Sequence, residues 1–414
     1  MDQVIPKTLR RIETYQSSLY KNGVLSRFQK MNKGHLKLEI VGDNHNYSFG
    51  LGKKIQAHIR VKNNDFFQKL LKSGDVGFGE SYVEGDWESD DLVELMKWFL
   101  INNENPDKQN HLEDSLFLFL ESVHKMQNFL HQDRYSSFDK NISFRYDLGE
   151  TFFSQWLDES LTYSSALFQG QDLCLEEAQR LKNKRIAEQL KIQRGDNILE
   201  LGCGWGSLSL YLALSYDCKV TAVTVSEEQH KYLSARVEEL GLQDKIIPKL
   251  MDFRKITGRF HHIVSVELLD SLVETDLKEF FKVCNKALKR NGRMVHQVIL
   301  CPESMRMENG MGEWVQKHLA PGALTPSLSQ LCLAASKDTE FKLINLQDMG
   351  PDYALTFSHW REKFLLNENK LQNSGYDEKF LRTWEYFLAY AEAANMMGAM
   401  TCAQITMQRQ SDLG

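Results

Sequence analysis

One short run of residues constrains this 414-residue chain more than any other. Residues 196–206 read Asp-Asn-Ile-Leu-Glu-Leu-Gly-Cys-Gly-Trp-Gly. An apolar strand, Ile198 to Leu201, leads directly into a glycine-rich turn, and an amphipathic helical segment starts at Ser207. Glycines allow backbone N–H groups to approach a ligand closely at the carboxyl end of a parallel strand. Because a strand precedes this turn and a helix follows it, the run predicts a nucleotide-like ligand in an α/β fold.

The glycine spacing and the next strand discriminate between ligands. A dinucleotide fingerprint is Gly-x-Gly-x-x-Gly with an acidic residue after the following strand, where it holds a ribose. Here the third glycine, Gly206, comes one residue early, and the strand at 219–225 leads into Ser226 instead of an acid. Glu200, two residues before the turn, is typical of S-adenosylmethionine (SAM) sites. The sequence therefore predicts SAM as the cofactor, and the alternative is a tight turn without a ligand.

Composition indicates a two-domain soluble protein. With 42% hydrophobic and 26% charged residues, the chain can form two full cores. Its seven cysteines include no CxxC pair, which argues for a reducing compartment and against structural zinc or a disulfide framework. The longest strongly apolar run, near Leu116–Leu120, is far shorter than the roughly 20 residues of a spanning helix. The start of the chain lacks a secretory signal. We expect a cytoplasmic protein with no metal site.

The net charge of −6 hides a basic N-terminal end. Residues 1–62 contain 12 Lys and Arg against 4 Asp and Glu, a net charge of +8, which leaves −14 for the remainder. In this segment apolar Leu19 and Phe28 are interleaved with basic Lys21 and Arg27, a mixture that suits an anionic bilayer surface. A nucleic-acid partner is not favoured, because no nucleic-acid motif accompanies the charge. An ordinary solvated basic face is the remaining alternative.

The patterning of the N-terminal region indicates a small α+β domain. Residues 8–32 have helical spacing, and residues 36–61 alternate with period two between turn residues, as strands do. Short helices are predicted at 65–72 and 91–102, on either side of a glycine-punctuated stretch at 73–87. We assign residues 1–110 to this domain.

The rest of the chain indicates an α/β domain. A helical linker is expected at 111–139, after which strand and helix patterns alternate to about residue 300. This alternation predicts a doubly wound parallel sheet in a domain at 140–414. The insert at 302–347 is expected to cover the carboxyl edge of the sheet, and C-terminal helices are expected to complete the cover.

Ordered motifs extend along nearly the whole chain. The first region contains Gly74-Asp-Val-Gly-Phe-Gly-Glu-Ser-Tyr-Val-Glu-Gly-Asp-Trp-Glu88, and the second contains Tyr163-Ser-Ser-Ala166 and Leu175-Glu-Glu-Ala-Gln179. The C-terminal region contains Trp360-Arg-Glu-Lys-Phe364 and Trp384-Glu-Tyr-Phe-Leu388. In this order the motifs resemble the cyclopropane-fatty-acyl-phospholipid synthase family of SAM-dependent methyltransferases. The resemblance implies a lipid-binding-like N-terminal domain before a class I, Rossmann-like SAM-methyltransferase domain.

The resemblance also implies a set of SAM contacts, in which Tyr163 and Ser164 would cap the methionine end. Asp252 and Phe253 would meet the adenine, because a carboxylate can accept its amine and an aromatic ring can cover its face. The implied cofactor-binding residues are Tyr163, Ser164, Gly202, Gly204, Trp205, Gly206, Thr224, Gln229, Asp252 and Phe253. For Phe253 the alternative is core packing, and for Asp252 it is helix capping.

The proton-accepting site of the family is altered in this sequence. Members commonly hold a bicarbonate ion as general base, using Cys, Glu, His and Tyr side chains. The matching positions here are Ser165, Asp270, His296 and Arg361, so the histidine alone is retained. The resemblance implies His296 as the catalytic base or its orienting residue, with bicarbonate as a second group whose usual site has changed. A structural Asp270–Arg361 ion pair and a satisfied buried histidine are the alternatives.

These inferences predict a C-methyltransferase that acts on the double bond of unsaturated phospholipid acyl chains. Methyl transfer to an alkene leaves a carbocation, and the position of proton loss then gives a cyclopropane or a methylene or methyl-branched chain. We expect a peripheral protein on the inner face of an anionic membrane, and a homodimer is left open. Two rival functions remain: a small-molecule N- or O-methyltransferase, and a lipid-binding homologue without catalysis.

Overall fold

The described part of the chain covers both predicted domains. The structure is a computed structural model that describes residues 7–103, 148–303, 312–319 and 325–410. For residues 7–17, 103, 274 and 312 it describes the backbone alone.

The chain divides into two compact units. The first consists of Met1–Ser136, Asn309–His318 and Ser374–Met397, and the second consists of Ser137–Glu308, Leu319–Asn373 and Gly398–Gly414. Two C-terminal segments therefore group with the N-terminal residues, whereas the sequence analysis assigned them to the domain at 140–414. The expected boundaries near residues 110 and 140, and the helical linker between them, lie outside the described residues and stay predictions.

The helices are short to medium in length. They are α1 (Lys7–Lys30), α2 (Asp65–Val83), α3 (Leu92–Asn103), α4 (Gly149–Phe153), α5 (Leu175–Leu190), α6 (Ser207–Ser215), α7 (Glu227–Glu239), α8 (Glu274–Ala287), α9 (Gly312–His318), α10 (Leu328–Ser336), α11 (Gly350–Leu366), α12 (Glu368–Asn373) and α13 (Glu378–Met396). Short 3₁₀ turns lie at Phe253–Lys255 and Leu269–Ser271. Among the described residues, every helix is too short or too polar to cross a bilayer.

The strands form two sheets. They are β1 (His35–Ile40), β2 (Tyr47–Phe49), β3 (Gln56–Val61), β4 (Trp87–Glu88), β5 (Asn197–Leu201), β6 (Lys219–Thr224), β7 (Ile246–Leu250), β8 (Phe260–Val266), β9 (Leu288–Leu300), β10 (Phe341–Asp348) and β11 (Thr401–Arg409). A four-stranded sheet has the order β2-β1-β3-β4, and a seven-stranded sheet has the order β10-β11-β9-β8-β5-β6-β7.

The first unit confirms the period-two prediction for residues 36–61. Leu36, Leu38 and Ile59 are fully buried, and the residues between them are more exposed. The predicted end of a helix near residue 72 agrees with a break at Gly74, where the backbone is non-helical and φ is +53°. The glycine-punctuated stretch that follows was not predicted to be helical, but α2 resumes after the break and continues to Val83. The helix needs its later glycines for close packing: a Cβ at Gly79 would lie 2.4 Å from the Trp314 ring of α9.

The second unit confirms the doubly wound sheet. Strands β9, β8, β5, β6 and β7 are parallel, and β11 pairs antiparallel with β9 and β10. Residues 341–347 were expected to be part of a cover over the sheet. The structure makes Phe341–Asp348 the edge strand, because antiparallel pairing with β11 satisfies its backbone groups.

Helices pack on both faces of the large sheet. On one face Leu199, Ile263 and Met294 join apolar side chains of α8 and α10. On the other face Ile198, Val264 and Val295 join α5 and α6. Side chains alternate between the two faces along each strand. This alternation determines on which face of the sheet a polar side chain near a strand end lies.

Candidate functional site

The glycine-rich turn joins β5 to α6 through left-handed backbone at each of its three glycines. Gly202, Gly204 and Gly206 have φ values of +74°, +53° and +90°, in the left-handed region that only glycine enters without cost. The N–H groups of Gly202 and Cys203 both donate to the Val223 carbonyl of β6 at 2.9 Å. The turn is thereby fixed at the carboxyl edge of the sheet, where ligands of such sheets bind.

A cleft opens at this edge. Together with its open mouth it contains about 970 Å³ of empty space, which is within the range of small-molecule sites. Its walls come from the turn, from the ends of β6 and β8, from α5 and from the loop at 161–164. The predicted cofactor residues that line it are Tyr163, Ser164, Gly202, Gly204, Trp205, Thr224, Gln229 and Phe253.

Two predicted cofactor residues lie outside this lining. A Cβ at Gly206 would lie 2.3 Å from the Leu233 side chain, so this glycine allows α7 to pack against the turn. Asp252 caps the 3₁₀ turn, where its carboxylate accepts a 2.7 Å bond from the Arg254 backbone N–H and pairs with the Arg254 guanidinium. The capping alternative therefore describes the contacts of Asp252 in this structure.

Glu200 supplies a buried carboxyl group to the cleft. It is 2% exposed and accepts a hydrogen bond from the Ser209 hydroxyl of α6. Burial raises the pKa of Glu200 to about 7, although the Ser209 bond and the charge of Lys182 act in the opposite direction. This group is therefore poised to accept a hydrogen-bond donor or a positive charge from a ligand.

Lys182 was missed by the sequence analysis. It lies on α5, is 1% exposed and donates to Ser164 Oγ at 2.9 Å and to Gln179 Oε1 at 2.7 Å. Burial lowers its pKa to about 8, against the opposing charges of Glu267 and Glu200. A signal was present in the sequence, because Lys182 falls on the buried stripe of α5 at helical spacing from Leu175.

Glu267 is the second missed residue. It follows β8, lines the cleft and accepts bonds from the Ser165 backbone N–H and from Gln297 Nε2, both at 2.8 Å to Oε1. Oε2 accepts a 2.6 Å bond from the Tyr353 hydroxyl. Burial raises the pKa of Glu267, although bonds from these three donors oppose the shift.

The structure does not bring the four predicted catalytic residues together in the cleft. Ser165 approaches it through the backbone, since its hydroxyl donates to the Ala166 carbonyl at 3.0 Å. Asp270 is buried in the 3₁₀ turn after β8, and Arg361 is partly exposed on α11. None of the four is among the described residues that line the cleft.

His296 lies on the opposite face of the sheet from Gln297. It is fully buried between Phe280 and Phe281 of α8, and its Nδ1 lies 2.8 Å from the Ser265 hydroxyl. Burial lowers its pKa to about 3, so the imidazole is neutral. Strand alternation directs the side chain into the α8 core and away from the lining of this cleft, and the role of His296 as the catalytic base stays a prediction.

Comparisons with known proteins agree on the same group of enzymes. Residues 133–405 match the family described as mycolic acid cyclopropane synthetase. The chain is 33% identical over 332 residues to the cyclopropane-fatty-acyl-phospholipid synthase of Escherichia coli (strain K12), which covers 80% of this chain and 82% of that protein. It is 27% identical over 404 residues to the tuberculostearic acid methyltransferase UfaA1 of Mycobacterium tuberculosis, with 94% and 91% coverage.

Solved structures share the fold. The cyclopropane synthase MmaA2 of Mycobacterium tuberculosis superimposes with a TM-score of 0.63 at 23% identity, covering 66% of this chain and 98% of that one. A coclaurine N-methyltransferase gives a TM-score of 0.62 at 19% identity, covering 82% of this chain and all of that one. At these identities the likeness is one of fold, and the names of the two enzymes describe different reactions.

Proposed function

Because the chain belongs to the mycolic acid cyclopropane synthetase family, we propose that it methylates the double bond of unsaturated phospholipid acyl chains. The chain is a SAM-dependent methyltransferase. The proposal concerns its substrate and its product, an acyl chain that gains one carbon as a cyclopropane or as a methylene or methyl branch.

The cleft at the glycine turn is the observation that carries the proposal. Its left-handed glycines and buried Glu200 fit SAM, a cofactor with both amino-acid and nucleoside parts. Glu200 would accept from a donor on the cofactor, and Lys182 would face its carboxylate. Phe253 would cover a flat face of the base. When bound, SAM supplies an electrophilic methyl group on a sulfonium.

The names of the relatives support the choice of substrate. The relative with 33% identity is named for a fatty-acyl phospholipid, and UfaA1 is named for tuberculostearic acid. Both similarities extend over at least 80% of this chain, so they include residues of the first unit. A lipid carrier without catalysis would not need the glycine turn.

We further propose that the first unit docks on an anionic bilayer through the loop Gly50–Lys54, here called the Leu51 loop. Leu51 is 95% exposed, and Lys53 and Lys54 beside it are exposed as well. The loop is held in place by a 2.9 Å bond from the Gly52 N–H to the Gly34 carbonyl. The exposed leucine side chain can insert into the apolar part of a membrane interface, while the two lysines contact its anionic headgroups. This contact would make the protein peripheral on the inner face of the membrane.

Expression in a host rich in monounsaturated phospholipids tests the proposed reaction. Phospholipids are isolated, their fatty acids are released, and the fatty acids are analysed by mass spectrometry. We expect a new acid one methylene unit heavier than the unsaturated precursor, absent when Gly204→Val is expressed at the same level. A fatty-acid profile identical for the two proteins would refute the proposal, and fragmentation of a new acid distinguishes a ring from a branch.

A further inference from the structure

A buried carboxylate is held ready at the cleft by three donors. The Ser165 N–H and Gln297 Nε2 donate to one oxygen of Glu267, and the Tyr353 hydroxyl donates to the other. Donors on both oxygens favour the ionised form of a carboxyl group. Glu267 is therefore organised as a proton acceptor in the cleft that it lines.

The backbone at Glu267 is strained in a way that glycine would avoid. Its φ is +51°, in the left-handed region, where a residue with a side chain costs about 1 kcal/mol or more. Such strain persists at positions where the side chain is used. Glycine would adopt the backbone conformation of residue 267 at lower cost, but this position has a glutamate whose side chain lines the cleft.

The residues present do not fit the bicarbonate ion that the family resemblance implies. The backbone N–H of Ser165 and the amide of Gln297 already bond to Glu267, and the Ser165 hydroxyl bonds to Ala166. An added anion would meet the Glu267 carboxylate in a buried environment, where like charges repel strongly. Among the described residues, the charge of Lys182 on α5 stabilises the Glu267 carboxylate.

We propose that Glu267 is the proton acceptor of this enzyme and takes the place of bicarbonate. This inference rests on the proposed function. In the reaction, the alkene π pair forms the new bond to the methyl carbon, and the sulfur keeps the pair of the broken C–S bond. The resulting carbocation loses a proton to the Glu267 carboxylate. The C–H pair left behind closes the ring or forms a double bond, and Glu267 becomes a neutral acid that returns its proton to water.

The surroundings of Glu267 suit this role. Burial raises its pKa above that of an ordinary glutamate, which makes the carboxylate a stronger base. The hydrogen bonds and the Lys182 charge act against that shift, because each of them stabilises the carboxylate form. A proton acceptor built into the chain removes the need for a second bound ion.

Substitution by an isosteric amide tests the role directly. Glu267→Gln is compared with Glu228→Gln, which changes a partly exposed glutamate of α7. We expect Glu267→Gln to lower lipid methylation by about 10² or more, the usual scale for loss of a general base. The control should keep full turnover, and calorimetry should give all three proteins similar affinity for SAM. Normal turnover by Glu267→Gln would overturn the proposal.

A second experiment makes room for an external anion. Glu267→Gly suits the left-handed backbone, so the variant should fold, and it removes the carboxylate. We expect ¹³C-bicarbonate to bind to this variant and not to wild type, as followed by NMR line broadening. We also expect bicarbonate or formate to restore part of its turnover, while wild type is insensitive to removal of carbon dioxide.

The two failures are distinguishable. If wild type methylates no unsaturated lipid, the proposed function fails, and the NMR comparison still reports whether Glu267 excludes the anion. If wild type methylates lipid and loses that activity when bicarbonate is removed, the proposed function stands and Glu267 is not the proton acceptor. Binding of ¹³C-bicarbonate to wild type as tightly as to Glu267→Gly would likewise overturn the inference.

Discussion

The Tyr353 hydroxyl donates a 2.6 Å hydrogen bond to Oε2 of Glu267. Tyr353 stays protonated, because burial and the neighbouring Glu267 charge raise its pKa well above the ordinary value. The tyrosine is therefore a fixed donor that stabilises the carboxylate of Glu267. Its contribution can be measured, because phenylalanine keeps the ring that stacks on Phe357 at 4.4 Å.

Tyr353→Phe should move the acid limb of the pH–rate profile to higher pH. The lost bond stabilises the carboxylate, so its removal raises the pKa of Glu267 further and leaves less of the base ionised at a given pH. A bond to a charged group contributes about 1.5–3 kcal/mol, which corresponds to a shift of roughly 1–2 pH units. The profile is compared with that of Tyr390→Phe, a buried tyrosine of α13. If the acid limb did not shift, the Tyr353 hydrogen bond would have no influence on the pKa of the catalytic base.

Lys182→Met should change how stability depends on alkaline pH. The folded-state pKa of Lys182 is about 8, below the ordinary 10.5, so the folded protein binds fewer protons than the unfolded chain between these values. The free energy of unfolding therefore gains a contribution that rises with pH across this window, by up to roughly 3 kcal/mol. The variant should lack this rise.

Denaturant unfolding at pH 7.5 and pH 10 checks the lysine prediction. Lys184→Met serves as the control, because that lysine is exposed on the same helix. Wild type and the control should gain the same stability between the two pH values, and Lys182→Met should gain less. Equal gains in all three proteins would mean that Lys182 is ionised in the fold as it is in water.

The turn glycines should separate cofactor binding from folding. A Cβ at Gly204 meets no atom within 4 Å, so Gly204→Val would place its side chain in open space at the cleft. The left-handed backbone at Gly204 makes the valine cost about 1–2 kcal/mol of stability. We expect its SAM affinity to be lower by about 10² or more, since binding energy is lost when the cofactor cannot approach the backbone. Gly206→Ala meets Leu233 and should lower stability, by about 1–3 kcal/mol, without filling the cleft.

Calorimetry with SAM and thermal melting distinguish the two glycine variants. Both variants should melt at a lower temperature than wild type, and Gly204→Val alone should lose SAM affinity when calorimetry is run well below its melting temperature. Unchanged SAM affinity in Gly204→Val would remove the turn from the cofactor site.

Leu51→Asp should weaken binding to anionic vesicles. The variant replaces the most exposed part of the Leu51 loop with a charge that the interface repels. Leu366→Asp is the control, because Leu366 is 83% exposed on the second unit. Co-sedimentation should show weaker binding for Leu51→Asp alone, and wild-type binding should weaken as salt screens the lysines. Equal, salt-independent binding of all three proteins would contradict the docking surface.

The N-terminal basic charge illustrates how far composition predicts a surface. The net +8 of residues 1–62 follows from the sequence, but part of it is neutralised by an acid outside the segment. Glu88 pairs with both Arg60 and Lys62. The fold determines which lysine side chains are exposed at the surface. The sequence alone does not indicate that Leu51 is an exposed apolar residue beside Lys53 and Lys54.

The glycine turn was predictable because its signal is local. Strand, glycines and helix follow each other within residues 196–215, and left-handed backbone at each of its three glycines follows from their chemistry. The catalytic residues were not local in this sense. Alternation along β9 directs His296 and Gln297 to opposite faces, but only the packing of α8 determines which of them lies beside Glu267.

Glu267 was missed for a related reason. Asp270 occupies the matching family position, and nothing in the residues 267–270 indicates which carboxylate reaches the cleft. The left-handed backbone at Glu267 directs its side chain to the Ser165 N–H, far away in sequence. Contacts between distant segments, which a single sequence does not record, thus decide which carboxylate lies in the cleft.

Labelled methyl transfer to defined vesicles tests the central claim most directly. Purified enzyme is incubated with SAM carrying a CD₃ methyl group and with vesicles of unsaturated phosphatidylglycerol and phosphatidylethanolamine. Fatty acids and headgroups are then separated and analysed by mass spectrometry. The account predicts deuterium in the acyl chains of unsaturated lipids and none in matched saturated vesicles. Deuterium on the ethanolamine headgroup, or no transfer to any lipid, would contradict it.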